Sequence, residues 1–172
     1  MYLMPKTAEQ VAKIHATKLT LDDVFGKNLP PEPSVEADKT VVGVDANENG
    51  IRDDVELAIF KEYPNSAKTR AVLLQYALAL QMEMTQPIVN EGTVIAVAQI
   101  GDKASACIGE SVSRINLQKF VETTQGYADF VEKKQWNTEA RQKAKKDFYN
   151  GNLGSYSSLE ETCDLDSTTL PN

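Results

Sequence analysis

Between residues 53 and 150 apolar side chains return at three- and four-residue steps, and prolines and glycines punctuate the pattern. In "DDVELAIFKEY" Val55, Ile59 and Tyr63 stand four apart, Leu57 and Phe60 widen the apolar face, and Pro64 ends the run. "SAKTRAVLLQYALALQMEMTQ" starts at Ser66, a suitable cap, carries Ala71, Leu74, Ala77, Leu78 and Met82 on one stripe, and stops before Pro87. "NEGTVIAVAQIGDKASACIG" is ambiguous. Its β-branched Thr93, Val94, Ile95 and Val97 suit a strand, but Ile95, Ala98, Ala104 and Cys107 fit a helix interrupted near Gly101, which is the favoured reading. "ESVSRINLQKFVETTQGYADFVEKKQ" places Val112, Ile115, Phe120, Tyr127, Phe130 and Val131 at helical steps, with Gly126 as a bend or split. In "NTEARQKAKKDFYNGN" Thr138 caps, Glu139 sits in the first turn, Lys145 and Lys146 complement the helix dipole, and Gly151 terminates.

Ahead of these lies a different texture. Residues 5–19 carry Val11, Ile14 and Leu19 at roughly helical spacing behind Pro5, and predict a short amphipathic helix. "TLDDVFG" has the start signal of a helix without the length to continue. "KNLPPEPSVEADKTVVG" then sets three prolines in four positions, which predicts an extended strap rather than a helix. The expected fold class is all-α: a bundle of four to five helices with a Pro-rich N-terminal strap. Residues 1–42 form the helix and strap, residues 43–172 the remainder, together one globular unit.

Composition narrows the partners. A chain of 172 residues, 41% hydrophobic, can bury a core as a single domain. A formal charge of −7 argues against nucleic acid, whose phosphates need a basic face, and suits divalent cations. The most apolar stretch, "TVIAVAQIG", is about half the roughly 20 residues of a membrane span. Cys107 and Cys163 form no CxxC; since Cys163 lies in a polar tail with no apolar pocket for a free thiol, a disulfide tying the tail to the helices is expected. The opening "MYLMPK" reads as a start placed after a removed leader, so the expected location is periplasmic or secreted.

One stretch carries chemistry. From Asp45 the chain reads D-A-N-E-N-G-I-R-D-D-V-E, which meets the EF-hand pattern D-x-[DN]-x-[DN]-G-x5-E at every defined position. Calcium takes six to eight hard oxygens at about 2.3–2.6 Å. Asp45, Asn47 and Asn49 would converge from one side of a tight loop, and Gly50 would permit its turn. The Ile51 carbonyl would point inward, Asp53 would bind directly or through water, and Glu56 would close the shell. Turn formation and helix capping alone would explain one or two acids, but neither the alternation at 45, 47 and 49 nor Glu56 at position 12. The expected cofactor is Ca2+, at weak extracellular affinity, on the order of 10⁻⁴ M.

The match has departures. Position 8, aliphatic in paired EF-hands, is Arg52, and "CDLDSTT" lacks the glycine and closing acid of a second loop. The segment instead resembles the solitary calcium loops of thrombospondin type 3 repeats, "D-x-D-x-D-G-I-x-D-x-x-E", where the aliphatic residue follows the glycine as Ile51 does. It also looks like one half of a dockerin, whose second copy is missing here. Over about residues 43 to 81 it is similar to a group of uncharacterised exported bacterial helical proteins. The resemblance implies a structural ion and no particular activity.

Other candidates are weaker. His15 has no ligand-spaced neighbour and reads as a surface or packing residue. Trp136 and Tyr149 read as inter-helix packing, with a ligand groove as the alternative. The functional expectation is a calcium-binding exported module of the interaction or adhesion type with an unknown protein or envelope partner. The alternative is a small secreted hydrolase using Asp/Glu carboxylates, which have no local signature.

Overall fold

The computed structural model describes residues 5–151 and 153–172; the "MYLM" start falls outside them. Among the described residues the chain forms seven α-helices and no strand: α1 Pro5–Ala16, α2 Leu21–Phe25, α3 Asp53–Glu62, α4 Ala67–Thr85, α5 Glu91–Ser111, α6 Leu117–Gln135 and α7 Glu139–Tyr149. The helical class agrees with the pattern, but the count is higher than expected. α2 is one reason. Thr20 and Asp23 close a full capping box around its first turn, and Gly26 ends it in the left-handed conformation. Local capping thus sustains five residues that periodicity could not recognise.

α4 is the centre of the bundle. Of its 19 residues 15 are buried, so it is enclosed all round rather than along one stripe. It packs against α2, α3, α5, α6 and α7, and α1 lies against α5. Ile14, Leu19 and Val24 from the first 42 residues join the same core as Val55, Leu74, Val97 and Cys107. The predicted caps hold: the Ser66 hydroxyl accepts from Thr69 N–H, and the Thr138 hydroxyl from Arg141 N–H.

Three expectations are corrected. α5 and α6 run unbroken through Gly101 and Gly126. A glycine inside a helix costs about 1 kcal/mol relative to alanine, and the burial of Val94, Val97, Ile100, Ala104 and Ile108 outweighs it in α5. Ile115 belongs to no helical stripe. It is 98% exposed in the link ahead of α6, because the Asn116 side chain caps Lys119 N–H and restarts the helix there. The proline-rich stretch is not extended throughout, since a 3-10 turn occupies Ser34–Asp38.

The side chain that makes most contacts to that stretch is Arg141. Fully buried on α7, it donates to the carbonyls of Ala37, Thr40 and Val41 and pairs with Asp38 at 2.6 Å. The C-terminal tail is fastened as the cysteines predicted, by a Cys107–Cys163 disulfide. Beside it Lys103 and Asp164 form a buried ion pair at 2.7 Å, and Asp164 also accepts from Leu19 N–H at 2.9 Å.

Candidate metal loop

The loop from Asp45 to Glu56 is built from short oxygen-bearing side chains folding back on their own backbone. The Asp45 carboxylate accepts from the N–H groups of Asn49 (3.1 Å) and Gly50 (2.9 Å), and the Asn49 amide oxygen accepts from Ile51 N–H at 2.9 Å. Glu48 and Gly50 both adopt positive φ, 57° and 84°. A side chain at position 50 would also bring a Cβ to 2.7 Å from Leu78 Cδ1, so the turn needs its glycine. Ile51 beside it is fully buried in the core and pins the loop to the bundle.

The second half of the loop is the start of α3. Asp53 N–H donates to the Val44 carbonyl at 2.8 Å, and both Asp53 carboxylate oxygens accept from Ala46 N–H at 3.0 and 3.1 Å. Glu56, one turn on, is 1% exposed. Its two oxygens accept from the side-chain amides of Asn47 and Asn49, each at 3.1 Å. Asn47 gives its other amide hydrogen to the Asn28 carbonyl, which ties the loop to the chain ahead of the prolines.

Burial is the largest influence on Glu56 and pushes its carboxyl up to about 7. The two amides oppose the shift, while Asp23 and Asp53 add to it. Asp53 is also raised, again first by burial, against the Ala46 hydrogen bond. The structure therefore unites Asn47, Asn49 and Glu56 directly. It keeps Asp45 and Asp53 on backbone N–H groups of the same loop. Among the described residues, no three His, Cys, Asp or Glu side chains gather as a metal-holding group.

Arg52, the departure at position 8, has a separate task. Fully buried, it pairs with Asp54 and donates to the carbonyls of Lys134 and Gln135 at the end of α6, at 2.6 and 3.1 Å. Those carbonyls have no partner within their own helix, and a cation suits that end of the helix dipole. Gly43 makes room for it: a Cβ there would fall 2.3 Å from Arg52 Cδ.

Outside the loop, His15 does pack, with its ring bonded to Gln99 at 2.9 Å. Trp136 and Tyr149 line a cavity together with Glu83, a residue the sequence did not single out. Its one signal was that it is the single acid of α4. Compared with protein-family models, curated proteins and solved structures, the chain matches none.

Proposed function

We propose that the loop binds one calcium ion through Asp45, Asn47, Asn49, the Ile51 carbonyl, Asp53 and Glu56, and that the ion is structural. The supporting observation is Glu56. A buried carboxylate meets two amide side chains and no cation, and the amide groups present only the positive ends of dipoles. Rotation of the two amides about their terminal torsions would turn oxygens toward the same space, so the donor set fits a hard cation. The likeness to thrombospondin type 3 loops rests on the residues themselves.

With the ion in place, the loop would clamp the chain before α3 to the bundle. Arg52 and Ile51 anchor it on one side, and the Asn28 contact on the other. An unpaired loop of this kind is a clamp rather than a sensor, which favours a non-catalytic exported module of the interaction or adhesion type. The disulfide agrees with an oxidising, periplasmic or secreted setting. A second reading, a hydrolase acting through carboxylates, draws on Glu83 and Glu132 at one cavity. Each accepts a tyrosine hydroxyl, which suits fixed binding groups better than a proton-transfer pair.

The test is thermal unfolding in EDTA and in calcium. At a dissociation constant near 10⁻⁴ M, about 10 mM calcium stabilises by about 2.7 kcal/mol, roughly 5–10 °C for a chain of this size. Glu56→Gln should remove that shift. A midpoint indifferent to calcium in the wild-type protein would refute the proposal.

A further inference from the structure

A central helix surrounded by others can use its polar side chains to satisfy the backbone of neighbouring loops, and α4 does so. Arg70 donates to the carbonyls of Val24, Tyr63 and Pro64. Gln75 bonds Thr162 and Asp164 in the tail, and Gln81 bonds the Val42 carbonyl. Glu83 is the exception. It is 7% exposed, its Oε1 accepts from the Tyr149 hydroxyl at 2.8 Å, and its Oε2 has no hydrogen-bond partner. A buried acceptor left open in this way is costly unless something fills it.

Glu83 stands in the wall of a cavity of about 340 Å³ between α4, α5, the end of α6, α7 and the tail. A second buried atom there also lacks a partner, the indole Nε1 of Trp136. Tyrosine hydroxyls are committed to the acids around the cavity: Tyr76 to Glu132 at 2.6 Å and Tyr156 to Asp102 at 2.7 Å, besides Tyr149 to Glu83. Three carboxylates thus face one cation, Lys145, whose ammonium lies 3.2 Å from the centre of the Trp136 ring. The protein's own ammonium on that indole face displays what the site accepts: a cation over an aromatic ring, beside acids.

We propose that this cavity is a binding site for a small hydroxylated amine, an amino alcohol or amino sugar, whose ammonium donates to Glu83 Oε2 and whose hydroxyl oxygen accepts from Trp136 Nε1. The two open atoms set this requirement, one for a donor and one for an acceptor. A simple alkylamine leaves the indole N–H unpaired, and a neutral polyol leaves the excess of acid unbalanced. The Lys145 stem, half-buried and unbranched, gives way as the ligand enters. Burial pushes Glu83 up to about 7, with the Tyr149 hydroxyl and Lys145 lowering it and Glu132 raising it further. Ligand binding therefore tightens as pH rises through that value and Glu83 ionises.

Trp136 is the one tryptophan of the chain, so its fluorescence reports the site directly. The full chain is titrated with glucosamine and ethanolamine, and with glucose and ethylene glycol as their neutral counterparts. The amines are expected to give a saturable change, and the neutral analogues to bind about tenfold more weakly or less, as loss of a charge-assisted hydrogen bond implies. Glu83→Gln should weaken glucosamine by about the same factor. Should that variant fail to fold, Lys145→Met decides, because removing the resident cation should tighten amine binding. No saturable change with either amine, equal binding of glucose and glucosamine, or unaltered glucosamine binding in Lys145→Met would each overturn the proposal.

Discussion

Glu56 is a weakness of the bare loop and the residue on which the proposed calcium site most depends. Its folded-state carboxyl titrates at about 7 rather than 4.5, because burial disfavours the charge more than the Asn47 and Asn49 amides favour it. The folded protein therefore keeps a proton that the unfolded chain releases, and stability without metal falls as pH rises from about 4.5 to about 7. Asp53 and Glu83 are shifted in the same direction and add to the slope. In EDTA, the melting midpoint is expected to be lower at about pH 7.5 than at about pH 5.5, and Glu56→Gln, which cannot ionise, to show a shallower decline. An undiminished slope in that variant would mean that Glu56 is not the buried acid described above.

At the scale of elements, the two fully buried arginines do for the non-helical segments what side-chain caps do for helix ends. Arg52 satisfies the carbonyl end of α6, and Arg141 gathers the carbonyls of residues 37, 40 and 41 onto α7. Without Arg141 those carbonyls would lose their shared donor. Arg141→Ala is expected to destabilise by about 3 kcal/mol, as for loss of a buried charged hydrogen-bonding hub. It should also make the segment around Ser34–Asp38 an early site of limited proteolysis. Cleavage that begins elsewhere, with stability unaltered, would show that the segment is held by other contacts.

Across the whole molecule, the tail closes the bundle by covalent and ionic means together. The Cys107–Cys163 bridge spans 56 residues of sequence and lies next to the Lys103–Asp164 pair. Reduction is expected to lower the free energy of unfolding by on the order of 4 kcal/mol, read from urea titrations with and without reductant. A difference near zero would mean that the tail's hydrogen bonds suffice. Much of this fold was legible in the sequence because its signals are local. Ser66, Thr138, Pro64 and Pro87 mark helix limits through the backbone of their immediate neighbours, and Asp45 to Glu56 stand at a recognisable spacing within one loop. The breaks expected at Gly101 and Gly126 did not occur, since packing against α4 and its neighbours exceeds a glycine's local penalty. α2 was legible only as a start signal in "TLDDVFG", because its capping is complete while its periodicity is too short to register. The chain alone determined the helical class and the tail's cysteine link, set by neighbours in sequence and by pairing of two thiols. Tertiary structure decided the rest: that Arg52 caps a helix more than 80 residues away, and that Glu83, Trp136, Lys145 and Tyr149 meet at one cavity. Burial and unmet hydrogen bonds are properties of surroundings, and the surroundings exist only once the helices have packed.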